Sequence, residues 1–287
     1  MVTVFLSPTG LVFAIATTSD VAALHLGPAA LAALFSVALV AGCIDAIAGG
    51  GGLLSVPALF AAGLPPAMVL GTNKVQGTAG SLSASIHFVR AGAVDFRRFW
   101  PAFVAALVGG VLGAYALQLV DPSVLRRIIP WMLIAIALYM LLAKRAGEVE
   151  RHSRVTLPIF ALTVALLVGA YDGFFGPGAG TFYALGCVAL LGLTLPVATA
   201  HSKVLNFASN IASLTFFVLA GKVLWVPGLT MAAGQFLGAQ VGARLVIRGG
   251  ARLVRVLLVV MSILLAAKLI HDDKNADRTP RASVGPH

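Results

Sequence analysis

The sequence predicts an all-α polytopic membrane protein assembled from two homologous segments. Three observations lead there. First, 59% of the 287 residues are hydrophobic and only 10% are charged, with a mean hydropathy of +0.98; a soluble domain carries about 25% charged residues. Second, the few charges are gathered at the ends of long apolar runs. Residues 101–120, 155–171, 173–200, 204–221 and 223–243 contain no Asp, Glu, Lys or Arg, and about 20 mostly apolar residues suffice to cross a bilayer. Third, a set of landmarks recurs at a nearly fixed distance along the chain, the signature of an internal repeat.

The landmarks are these. Asp45 in Ile44-Asp45-Ala46-Ile47-Ala48-Gly49-Gly50-Gly51-Gly52 matches Asp172 in Tyr171-Asp172-Gly173-Phe174-Phe175-Gly176-Pro177-Gly178-Ala179-Gly180, at an offset of 127 residues. Thr72-Asn73-Lys74-Val75 matches His201-Ser202-Lys203-Val204 at 129, as do Ala91-Gly92-Ala93-Val94 with Ala220-Gly221-Lys222-Val223, and Gly109 and Gly113 with Gly238 and Gly242. Residues 29–144 and 155–271 therefore read as two copies joined by a polar linker, 145–154. An extension, 1–28, precedes them and a polar tail, 272–287, follows.

Each copy gives the same order of elements. An apolar helix comes first (29–48 and 156–175) and ends in a Gly- or Pro-rich break. A short apolar piece follows (52–63 and 180–193), then a turn at Pro65-Pro66 or Pro196 and a longer helix (67–90 and 197–220). Two more spans close the copy (98–120 and 125–143; 226–247 and 253–270). The short pieces, at 1.5 Å per residue, fall well below the roughly 30 Å of a hydrocarbon core and read as broken or re-entrant helices. Each copy thus holds about four full spans and one short helix. If the short pieces do not cross, the copies are parallel; if they cross, the copies are inverted. Loop charge favours inversion, because Arg90, Arg97 and Arg98 face only Lys222 in the equivalent loop, whereas Arg126 and Arg127 face Arg244, Arg248, Arg252 and Arg255.

The formal net charge of +10 belongs to these loop cations, which suit anionic headgroups and the positive-inside bias. No basic stripe interleaved with aromatics points to nucleic acid. Cys43 and Cys187 lie in apolar segments without metal or CxxC spacing, so no metal or cofactor is expected. Residues 1–19 lack the basic start of a secretory signal. No GxSxG, HExxH or P-loop pattern occurs, so the chain does not read as an enzyme.

Broken helices at equivalent places in two halves point to a transporter's binding site. The candidates are Gly49, Gly50, Gly51 and Gly52 in the first break and Gly176, Pro177, Gly178 and Gly180 in the second. Free N–H groups and helix N-termini after such breaks suit an anion. Asp45, Lys74, Asp172 and Lys203 sit inside apolar stretches, where an ionisable group costs roughly 2.5–3.5 kcal/mol and is rarely idle. The aspartates could pair with the lysines to hold the helices in register, or take a coupling proton while the lysines attract the anion; both readings stay open. Around the lysines, Thr72, Asn73 and Gln76, with His201, Ser202, Asn206 and Asn210, complete the candidate site. Lys203, Asn206 and Asn210 share one helical stripe. By contrast, the spacings Gly109/Gly113 and Gly234/Gly238/Gly242 fit close helix packing.

At these motifs the chain resembles the TauE/SafE family of membrane transporters, the sulfite exporter and sulfonate permease group, and within it the YfcA-like branch. The likeness rests on Asp45 through Leu59, Thr72-Asn73-Lys74, Tyr171 through Pro177, Ala198 through Asn206 and Gly221-Lys222-Val223-Leu224-Trp225, and covers about residues 29–271. It implies a multi-pass protein of the bacterial inner membrane that exports small sulfur-containing or related organic anions such as sulfite or sulfonates. The partners expected are thus the anion, the lipid bilayer and coupling protons; homo-oligomerisation stays open. The rival readings are a passive anion channel and a non-catalytic membrane subunit of a larger complex.

Overall fold

The computed structural model describes residues 26–121, 123–124, 128–129, 131–132 and 152–248. The expected extension, most of the linker, the spans expected at 125–143 and 253–270, and the tail lie largely or wholly outside these residues.

Among the described residues all regular structure is helical. The elements are α1 (Pro28–Ala48), α2 (Gly52–Ala61), α3 (Pro66–Arg90), α4 (Phe96–Gln118), α5 (Leu157–Phe174), α6 (Ala179–Leu191), α7 (Leu195–Leu219) and α8 (225–248). Every boundary that falls inside the described residues lies within two residues of its sequence expectation; α8 runs to where they end, at 248. The reasons are local. Proline stands at the start of α1, α3, α5 and α7, where its missing N–H would have no intrahelical partner anyway. Asp95 caps α4 by accepting from the Arg98 N–H. Within α5, residues Ala161–Ala165 form one π-helical turn.

Among the described residues four helices, α1, α4, α5 and α7, are long and apolar enough to cross a membrane. Helices α2 and α6, with 10 and 13 residues, reach only about 15 and 20 Å, as their lengths predict. Helix α3 is different. Its 25 residues extend about 37 Å, yet it is too polar to stand out as a span, because Thr72, Asn73, Lys74, Gln76, Ser81 and Ser83 are all buried.

Three apolar clusters fill most of the interior, a polar patch lies among them around α3 and α7, and the outer face is apolar. Leu112, Leu119, Leu162, Leu167, Val226 and Leu237 are each more than half exposed, which suits a lipid surround. Most of the interior polar groups find partners in one another, as they must where water is absent; Gln76 Oε1, Ser85 Oγ, Tyr183 Oη and Gln235 Oε1 do not. Helix α7 lies against α3, α4, α5 and α6, with α5 packed closely along α4. The glycines that the sequence assigns to packing do pack. A Cβ on Gly109 or Gly113 would collide with the backbone of Leu166 or Ala170 in α5, and one on Gly238 or Gly242 with that of Leu39 or Cys43 in α1.

Candidate functional site

The first break begins where α1 ends. Gly49 adopts φ 78° and closes the helix by donating its N–H to the Asp45 carbonyl at 2.8 Å. In the second break, Gly176 takes φ 102° and Gly178 φ 83°, with Pro177 between them unable to donate. The Tyr171 hydroxyl fastens this turn by donating to the Pro177 carbonyl at 2.5 Å. Both conformations are left-handed and suit glycine.

The two breaks abut. A Cβ on Gly49 would strike the backbone of Gly180 and Thr181, one on Gly180 would lie 2.8 Å from the Gly49 Cα, and one on Gly52 would lie 2.9 Å from the Pro177 Cα. Thr181 Oγ1 donates across the seam to the Ala48 carbonyl at 2.6 Å. Gly49 and Gly52 of the first break are therefore used for close approach to Gly180 and Pro177 of the second.

Two ion pairs flank the seam, each joining residues on opposite sides of the linker. Lys74 Nζ lies 2.8 Å from Asp172 Oδ1, and Lys203 Nζ lies 2.9 Å from Asp45 Oδ2. Lys74 also donates to the Asp172 backbone carbonyl, an acceptor left open because the helix stops there. All four residues are buried. The pairing answers the cost of ionised groups at this depth.

Amides and hydroxyls fill out the cluster. Ser55 Oγ donates to Asn73 Oδ1 at 2.8 Å, as does Gln76 Nε2 at 2.7 Å. Asp172 Oδ2 accepts from Ser209 Oγ and from Asn210 Nδ2, the latter at 3.1 Å. Asn210 Nδ2 also reaches Asn206 Oδ1 at 2.8 Å. Between these groups lies a cavity of about 20 Å³, lined by Asp45, Gly49, Gly52, Ser55, Asn73, Gly77, Asp172, Gly176, Gly178, Asn206, Asn210 and Gln235. That is room for about one water molecule. Among the described residues, the N–H groups of Gly176 and Gly178 donate no hydrogen bond.

Most of the residues singled out in the sequence are gathered here, but not all. Lys74 and Lys203 stand behind their aspartates. Gly50 is buried in the first break and Gly51 presents its N–H to Asp45 Oδ1 at 3.2 Å. Thr72 faces elsewhere: its Oγ1 accepts the Leu224 N–H at 3.0 Å. Ser202 Oγ donates to the Thr199 carbonyl. His201 is turned from the cavity. Its Nδ1 sits 2.8 Å from the Val197 carbonyl, its ring packs edge-on against Phe99 at 4.6 Å, and it lines a separate pocket with Arg98 and Arg154. Three contributors escape sequence reading. Ser55 sits in the short α2, Ser209 on the far edge of the α7 stripe, and Gln235 in a glycine-spaced stretch that reads as packing. The one signal for Gln235 is that it is one of only two amides, with Gln240, in the charge-free run 223–243.

With this arrangement in view, comparison with known proteins places the chain. Residues 34–269 match the family model described as sulfite exporter TauE/SafE. The chain belongs to that family. It is 46% identical over 242 residues to a "Probable membrane transporter protein" of Haemophilus influenzae, covering 84% of this chain and 95% of the relative. It is 49% identical over 245 residues to "Probable membrane transporter protein YfcA" of Escherichia coli K12, covering 85% and 91%. A more distant relative, "Probable membrane transporter protein YunE" of Bacillus subtilis, is 22% identical over 264 residues, covering 83% and 97%. No solved structure matches. This TauE/SafE chain is a multi-pass protein of the bacterial inner membrane, consistent with its bacterial relatives named as membrane transporters and with four apolar, membrane-length helices among the described residues.

Proposed function

We propose that this TauE/SafE protein is a proton-coupled secondary transporter that exports a small oxyanion, with sulfite and sulfonates as the substrate class. The observation that carries the reading is the pair of reciprocal Lys–Asp bridges at two abutting helix breaks. Relatives bearing the name of membrane transporter support it.

The charges define the mechanism. Two lysines and two aspartates sum to zero, so an anion entering alone would leave net negative charge in a low-dielectric interior. Protonation of a carboxylate removes that obstacle and frees a lysine ammonium for the substrate. The Gly176 and Gly178 N–H groups, with Asn73, Asn206 and Asn210, complete the oxyanion's hydrogen bonds. At about 20 Å³ the cavity is too small for a polyatomic anion, so loading requires an ion pair to part. Residues 29–144 and 155–271 act as inverted copies, one moving against the other to alternate access. In support, α3 and α7 both have 25 residues and start 129 positions apart, the sequence offset of the lysines.

The test is uptake into proteoliposomes of sulfite, thiosulfate, sulfoacetate and taurine, with and without a pH gradient, for the wild type and Lys203→Ala. Saturable, gradient-driven flux of one anion, lost in the variant, is the expected result. Flux that only follows voltage and does not saturate would establish a channel instead. No flux from folded protein, or undiminished flux in Lys203→Ala, would overturn the reading.

A further inference from the structure

The two ion pairs are built unequally. The Asp172 carboxylate accepts three hydrogen bonds, from Lys74 on Oδ1 at 2.8 Å and from Ser209 and Asn210 on Oδ2, and Lys74 donates again to the Asp172 backbone carbonyl. Its side chain is 2% exposed. Asp45 has Lys203 on Oδ2 and a long 3.2 Å contact from the Gly51 N–H on Oδ1, and its side chain is 10% exposed. At the 129-residue offset, Ser209 and Asn210 correspond to Gly80 and Ser81. Gly80 has no side chain to donate, and the Ser81 hydroxyl is spent on the Gly77 and Thr78 carbonyls of its own helix.

Gln235 occupies the space this leaves. Its side chain lies against Gly80, where a Cβ would come 3.1 Å from Nε2, and its backbone lies against Gly42. The residue is 3% exposed and lines the same cavity as Asp45. Its Oε1 is buried without a donor. A buried acceptor without a partner calls for one; besides a water, for which the cavity has room, a ligand carrying a hydroxyl or a protonated carboxyl could supply it. The ionised Asp45 cannot.

We infer that Lys203–Asp45 is the pair that opens, that Asp45 is the carboxyl that takes the coupling proton, and that Gln235 receives its hydroxyl, while Lys74–Asp172 stays closed as a latch. This rests on the transporter reading above. An O–H bond forms on Asp45 with a proton from water on the side where the anion loads, and the contact to Lys203 Nζ breaks. Lys203 keeps its three protons and its charge, so the site gains one positive charge, which a monoanion neutralises. Release on the other side returns the proton to water and the lysine to Asp45. Gln235 is a positioning residue in this cycle, acting through Asp45.

Infrared difference spectroscopy of the full-length reconstituted protein between alkaline and acidic buffer, with sulfite as the probe, tests it directly. The expected result is a buried protonated-carboxyl band in the wild type that is lost in Asp45→Asn, retained in Asp172→Asn, and moved to higher frequency in Gln235→Leu, where its acceptor is gone. A band that survives Asp45→Asn, one that vanishes only in Asp172→Asn, or no such band in the wild type would overturn the inference. Should Asp172→Asn fail to fold, the other two variants still decide. Failure of every anion in the uptake panel bears on the transporter reading; the assignment of the band bears on the division between the pairs.

Discussion

Lys203 Nζ sits 2.9 Å from Asp45 Oδ2 although 158 positions separate them in the chain. The counterpart, Lys74 to Asp172, spans 98 positions. Neither lysine pairs with the aspartate of its own side of the linker. Each long helix, α3 or α7, therefore secures the break of the opposite side, and the site exists only when both sides are docked.

This exchange predicts a specific double-mutant result. Lys203→Ala leaves Asp45 buried and uncompensated, which costs about 3–5 kcal/mol. Adding Asp45→Ala removes the orphaned charge, so the double variant recovers most of the lost thermal stability in detergent while uptake remains absent. A double variant no more stable than Lys203→Ala would show that the pair contributes through something other than charge neutralisation.

Gly49 and Gly63 offer a matched comparison. Their φ values are 78° and 83°, so each substitution by alanine meets the same left-handed cost of about 1–2 kcal/mol. A Cβ on Gly63 meets nothing within 4 Å, whereas one on Gly49 overlaps the Gly180–Thr181 backbone. Gly49→Ala should lower the melting temperature clearly more than Gly63→Ala and should abolish uptake. Equal shifts would mean that the seam between the breaks yields freely.

Gly113 tests the packing role of the other glycines. An added methyl would collide with the Ala170 carbonyl, and overpacking of this kind costs about 1–3 kcal/mol. Gly113→Ala should lose stability, and Gly92→Ala, in open space at the end of α3, should lose only the left-handed term. Melting curves of the two purified variants separate these outcomes.

His201 should prove dispensable for coupling. With Nδ1 on the Val197 carbonyl and its ring on Phe99, it does not face the central cavity. His201→Gln is expected to keep the wild-type dependence of uptake on the pH gradient. Loss of that dependence would bring the histidine back into the proton path.

Thr72→Val is expected to cost about 1–3 kcal/mol, because the buried Leu224 N–H would lose its acceptor. The change should appear as a lower melting temperature with substrate preference intact. An altered preference among the anions would place Thr72 in contact with substrate after all.

How far the sequence reaches is visible in particular residues. Helix limits were legible because they are set locally: proline at the starts of α1, α3, α5 and α7, glycine at the end of α1, and runs too short in α2 and α6. Asp45, Lys74, Asp172 and Lys203 were legible as candidate site residues because charge in an apolar stretch is costly wherever it falls. Gly109, Gly113, Gly238 and Gly242 announced themselves by spacing. The partners were not legible. Nothing in the local pattern says that Lys203 takes Asp45, that Thr72 turns to Leu224, or that His201 turns to Phe99.

By itself, then, the sequence determined that this chain lives in a membrane, where its helices start and stop, and which charged residues must be neutralised. These depend on composition and on interactions within a few residues. The tertiary structure decided which lysine neutralises which aspartate, which break meets which, and that Gln235 lines the cavity and buries an unpaired side-chain oxygen. Those are matters of which surfaces dock in three dimensions, and the physical reason is plain: a buried charge requires a partner, but the requirement does not name one until packing has brought a single candidate within reach.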